Sequence, residues 1–77
     1  MFKMPTFLSP LTVAQVVAAC TFLETCQDDP EHAHRIEDHV WETVLRAIAS
    51  GDYRDPVAAL ANAALETKLF RFSRWYA

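Results

Sequence analysis

Asp29-Pro30-Glu31-His32-Ala33-His34-Arg35-Ile36-Glu37-Asp38-His39-Val40-Trp41-Glu42-Thr43-Val44-Leu45-Arg46-Ala47-Ile48-Ala49-Ser50-Gly51 is the stretch that decides the fold. It opens with an aspartate suited to an N-cap, a proline suited to the first helical position and a glutamate that complements the positive end of a helix dipole. It closes on Ser50-Gly51, where glycine can take the left-handed conformation after a last turn. Between these ends Ala33, Ile36, Val40, Val44, Ala47 and Ile48 recur at helical spacing, and Trp41 and Leu45 widen that stripe. Glu31, Arg35, Asp38, His39, Glu42 and Arg46 occupy the opposite face. The reading is one amphipathic helix over residues 30–49.

Upstream, Pro5 and Pro10 interrupt residues 1–11, which are expected to form an extended arm. Ser9 before Pro10, or Thr12 with Gln15 three residues later, supplies the N-cap of a first helix, over about 12–25. That helix is apolar nearly all round, with Gln15, Thr21, Glu24 and Thr25 as its polar residues, so it belongs at the centre of a bundle or at a subunit contact. Downstream, Asp55-Pro56 repeats the cap-plus-proline device and predicts a third helix over about 56–69, rich in alanines that permit close packing. Residues 70–77 read as a packed, non-helical or frayed aromatic tail, with continuation of the third helix or a short strand paired to the arm as the alternatives. The expected fold is therefore all-α: one compact three-helix domain over residues 1–77 with an N-terminal arm and an aromatic tail.

Composition agrees with helix and points toward association. The chain has 77 residues and one glycine, too few turn signals for an all-β fold. Hydrophobic residues make up 52% of it and nine are aromatic, more apolar material than a domain of this size hides when folding removes only about 60% of its unfolded surface. The surplus predicts a homodimer and a protein partner. Residues 24–55 hold nine acids against three arginines, whereas Lys68, Arg71 and Arg74 face only Glu66 further on. Cys20 and Cys26 are too few for a disulfide scaffold, which suits reduced thiols and a cytoplasmic setting. Lys3 ahead of the uncharged stretch 4–23, with Val17-Ala18-Ala19-Cys20, superficially resembles a lipoprotein leader, but Pro5, Pro10 and Gln15 break its apolar run. No membrane span is expected.

Three groups of residues could carry chemistry. All three histidines lie within residues 31–39, and Glu31-x-x-His34 has the spacing of carboxylate-bridged metal sites in helix bundles. Glu31, His34 and His39 are the metal-ligand candidates, but the other helices offer only Glu24 and Glu66 to complete such a set, so a solvated polar face is the simpler reading. Glu37 falls inside the apolar arc and needs a partner, for which Arg71, Arg74 and His34 are available. The tail combines Lys68, Arg71 and Arg74 with Phe70, Phe72, Trp75 and Tyr76, residue types that bind single-stranded nucleic acid. Three cations make a weak patch, and the third helix has only Lys68 for groove contacts, which argues against nucleic acid.

Nucleophilic chemistry finds little support. Ser9, Ser50 and Ser73 sit at caps or in the tail, Gly51 alone cannot build a phosphate loop, and no cofactor is implied. The expected function is a small protein–protein interaction module, acting as adaptor, regulator or inhibitor and presenting an acidic face to a basic target. Its contact residues are expected among Glu37, Asp38, Trp41, Glu42, Arg71, Arg74, Trp75 and Tyr76. Metal binding through the histidine cluster and nucleic-acid binding through the tail are the alternatives.

Overall fold

Capping chemistry sets the helix boundaries in the computed structural model, which describes residues 4–72 and 74. Helix α1 spans Val13–Glu24, and the Thr12 side chain accepts from the Gln15 backbone N–H at 3.3 Å as its N-cap. Its last carbonyls are taken up locally: Thr25 donates through its hydroxyl to Phe22 at 2.6 Å, and the Gln27 amide donates to Glu24 at 3.1 Å. Helix α2 spans Pro30–Ser50, is capped by Asp29 accepting from His32 N–H, and ends at Gly51 with φ 77°. Helix α3 spans Val57–Leu65 and tightens into one 3-10 turn, Glu66–Leu69. The chain is an all-α three-helix protein, and no helix of the described residues is long and apolar enough to cross a membrane.

The expected cap of the third helix is a correction. Asp55 does not cap α3; Pro56 occupies the N-cap position in an extended conformation, with no side-chain cap bond. The Asp55 carboxylate instead accepts from the Val13 backbone N–H at 2.7 Å. The free N–H groups and positive dipole end of α1 offer that carboxylate a partner from a helix 42 residues away in sequence. Asp55→Ala is expected to cost about 1 kcal/mol, the ordinary worth of an N-cap, read as a lower midpoint in urea with an unchanged slope.

Gln15 likewise departs from the capping box. Its Oε1 accepts from Leu8 N–H at 2.6 Å and its amide donates to Pro10 at 3.3 Å, so it holds residues 8–10 against α1. Leu11 N–H donates to Asp52, and Arg54 N–H to Leu11, forming an isolated parallel bridge between Leu11 and Tyr53. Residues 8–11 are thus joined to the α2–α3 loop, and Ser9 donates to the Asp52 carboxylate at 2.5 Å.

The core is shared by all three helices. Val16, Ala19, Cys20 and Leu23 from α1 meet Ala33, Ile36, Val40, Val44 and Ala47 from α2, with Leu60, Ala63 and Ala64 from α3. Helix α1 packs against both of the others, the central place its apolar circumference predicts. Contact between α2 and α3 is lighter, and there the packing leaves a gap.

Candidate functional site

Glu37 is a buried carboxylate on the α2 side of the α2–α3 surface. Helical periodicity places Glu37 on the inner face of α2, one turn beyond Ala33 and one short of Val40 and Trp41, and leaves it only 5% exposed. Arg74 answers it with a two-pronged contact, Nε to Oε1 at 2.9 Å and Nη2 to Oε2 at 3.0 Å. Lys68 adds a longer ion pair at 3.9 Å. Of the three partners the sequence offers Glu37, Arg74 is the one that takes it.

Arg74 also gathers the chain that leads to it. Its remaining N–H groups donate to the carbonyls of Thr67, Phe70 and Phe72 at 3.1, 3.3 and 3.5 Å. The guanidinium lies 3.9 Å from the centre of the Phe72 ring. Phe70 and Phe72 pack against the core. Trp41, one turn from Glu37, donates through its indole N–H to the Thr67 hydroxyl at 2.9 Å and carries Lys68 over its ring at 5.2 Å.

The electrostatics of this cluster are settled by its own members. Burial pushes the Glu37 carboxyl up, but hydrogen bonds from Arg74 and Thr67 and the charges of Arg74 and Lys68 outweigh it, holding the group below its ordinary value. The same hydrogen bond to Glu37 raises Arg74 against the smaller opposing effect of burial. Both groups therefore stay charged around neutrality, and the pair fastens Thr67, Phe70, Phe72 and Arg74 to α2 rather than exchanging protons.

Other residues singled out in the sequence are placed apart from this cluster. Arg71 is exposed, and its backbone N–H donates to Gln27. Asp38 and Glu42 are exposed; Glu42 pairs with Arg46 at 2.7 Å, and Asp38 stands 3.7 Å from the half-buried His34. His39 contacts the Pro5 carbonyl at 3.2 Å and stacks at a tilt on Phe7, while His32 meets the edge of Phe22. Glu31, His34 and His39 are not gathered into one site, and among the described residues no group of three or more His, Cys, Asp or Glu is placed to hold a metal ion. Trp75 and Tyr76 lie outside the described residues. Cys20 is buried against Ala63, and burial together with the charge of Glu66 pushes its thiol up, away from the reactive thiolate.

Trp41 links the carboxylate cluster to an apolar groove between α2 and α3. Trp41, Val44, Leu45 and Ile48 form one wall, and Ala61, Ala64 and Leu65 form the other. The alanines are too short to reach across to α2, which leaves a groove of about 190 Å³. That is room for a group somewhat larger than benzene, which fills an apolar cavity of about 150 Å³. Leu45 and Leu65 stand beside it 63% and 51% exposed. No charged residue lines it, whereas the other surface hollows include Arg35, Asp38 and Glu42, or Arg46 and Asp52, or the polar Thr6 and Gln15.

The near-continuous apolar circumference of the first helix made it a candidate for a subunit contact. The groove is on the second and third, and α1 is largely consumed by the core, with Val17 its large hydrophobic residue left outside. Leu45 was the available signal, since it widens the α2 stripe beyond the arc a single neighbouring helix covers. Comparison with known proteins adds nothing to this geometry: no family model matches the chain, and neither a curated protein nor a solved structure matches it.

Proposed function

We propose that this chain is a protein–protein interaction module whose working surface is the apolar groove between α2 and α3. The observation that carries the reading is the pairing of an uncharged hollow with two exposed leucines, Leu45 and Leu65, on its rim. Exposed apolar area of this kind gains roughly 25 cal/mol for each Å² removed from water, and a hollow beside projecting side chains lets a partner's ridge remove more of it than a flat surface does. The matching partner surface is a helical ridge of uncharged side chains, docked as helices dock into apolar grooves elsewhere. Occupying that surface with a segment of another protein is how such a module acts as adaptor, regulator or inhibitor.

The test uses an environment-sensitive apolar dye, whose emission rises on apolar surface. Wild-type protein is expected to bind it, and Leu45→Asp to lose most of that binding while keeping its helical circular dichroism. Unchanged binding in Leu45→Asp would place the dye, and the working surface, elsewhere.

A second reading rests on the exposed acids Glu24, Asp28, Asp29 and Glu31 around the α1–α2 turn, continued by Asp38 and Glu42. They favour a basic target through long-range attraction, which speeds encounter and weakens steeply with salt. Salt dependence separates the two, because an uncharged groove contact survives at high ionic strength.

A further inference from the structure

We propose that the occupant of the α2–α3 groove is a second copy of this chain, so that the molecule is a two-fold dimer; this rests on the reading of the groove as the working surface. A two-fold axis brings each residue near it against its own counterpart, so any charge there meets a like charge. Like charges facing each other across an interface cost several kcal/mol, so a patch that carries no charge close to the axis suits self-docking. The groove is such a patch, and α3 extends it: no residue from Val57 to Leu65 carries a charge.

The same surface supplies both halves of the contact. Leu45 and Leu65 are ridges and the space between Trp41, Ile48 and Ala61 is a hole, so one copy offers what the other lacks. Val57, Ala61 and Leu65 follow one another at four-residue spacing along an exposed line of α3. An antiparallel crossing centred on Ala61 sets Val57 of one copy against Leu65 of the other, and the short Ala61 side chains let the two helices approach closely. Of the acids of α2, Glu37 is buried and paired with Arg74, and the exposed Asp38 and Glu42 do not line the groove. Lys68, over the Trp41 ring, is the charge that stands at its end, and the net charge of −3 on each copy is screened by salt.

The contact is small. A standard interface takes about 800 Å² and roughly 20–30 residues on each partner, whereas seven residues line the groove and Val57 extends its line. The dimer is therefore reversible, populated at high concentration and lost on dilution. Salts excluded from protein surfaces strengthen it, because it has apolar area to bury and only net repulsion to screen.

Sedimentation velocity on the full chain tests this over a concentration series from low micromolar to near millimolar, in low and high sulfate. The expected result is a mass rising from 8.7 kDa toward twice that value, sooner in sulfate. Leu45→Asp and Leu65→Asp, both at exposed positions that leave the core untouched, are each expected to weaken dimerisation at least tenfold. Val17→Asp on α1 keeps it, and helical circular dichroism confirms that all three variants fold. A wild-type chain that stays monomeric throughout overturns the dimer, as does a dimer that Leu45→Asp and Leu65→Asp leave intact. A monomer that still binds apolar dye in a Leu45-dependent way overturns only the self-docking and leaves the groove for another protein; a monomer without such binding overturns both.

Discussion

Replacing Arg74 with alanine is expected to destabilise the chain by about 2–4 kcal/mol near neutral pH, and the loss is expected to fade on acidification. Removing one partner of a buried ion pair leaves the other charge uncompensated, which costs about 3–5 kcal/mol when both are fully buried. Glu37 is buried to that degree, with a side chain 6% exposed, but Arg74 is 30% exposed and Lys68 stands nearby, which lowers the figure. The variant also releases three backbone carbonyls that Arg74 holds, those of Thr67, Phe70 and Phe72. The pH dependence follows from the direction of the shift at Glu37. Its carboxyl is held below its ordinary value in the folded state, so the pair stabilises fully above the unfolded carboxyl pKa of about 4.3 and loses its contribution as pH falls through the lower folded value. Urea denaturation of wild type and Arg74→Ala at pH 7 and pH 3 reads this directly: the gap in midpoints is smaller at pH 3 than at pH 7. Replacing Glu37 and Arg74 together with methionine recovers most of the loss, because no charge is then stranded. An equal gap at both pH values would show that Arg74 acts through packing on Phe72 and not through the carboxylate.

The second large effect is expected at Leu60. It is fully buried and is the bulky core residue of α3, a helix of nine residues whose other buried side chains are Ala63 and Ala64. Leu60→Ala removes the transfer free energy of its methyl groups and leaves a cavity against α1 and α2 that alanines cannot collapse to fill, at about 3 kcal/mol or more. For a domain of this size that lowers the melting temperature by on the order of 10–25 °C in thermal denaturation. Because α3 forms one wall of the groove, apolar-dye binding should broaden and lose its dependence on Leu45 in this variant before global unfolding. A melting temperature within a few degrees of wild type would mean that α3 contributes little to the core.

Much of the architecture was legible because it depends on neighbours in sequence. Helix α2 announced itself through Asp29-Pro30 at one end, Gly51 at the other and a stripe at helical spacing between them, and all three signals are local. The central place of α1 was legible for the same reason, from the near absence of polar residues around it. Asp55 was misread because its local pattern, an acid before a proline, is satisfied equally well by a bond to its own helix and by one to the start of α1, and only the fold brings Val13 within reach. Glu37 could be marked as an acid in need of a cation, since its helical position alone puts it among Ala33, Val40 and Trp41. Choosing Arg74 over Arg71 or His34 required the fold, in which Arg71 is exposed and Arg74 reaches inward to the carboxylate. The histidines resembled ligands because they are close in sequence, yet Pro5 with Phe7, Phe22 and Asp38 each engage a different one. Of the groove, the sequence carried only the signal of Leu45 on a widened α2 stripe; the hollow itself is a distance between α2 and α3 that the side chains of Ala61 and Ala64 fail to span.

The claim that the α2–α3 groove is where this chain associates is tested most directly by methyl NMR spectra of the full chain over a dilution series. The methyl signals of Val44, Leu45, Ile48, Ala61 and Leu65 are expected to shift together with concentration, while those of Val17 on α1 and of the core residues Val16 and Leu23 stay fixed. Shifts centred on Val17, or none at any residue while the measured mass rises, would contradict it.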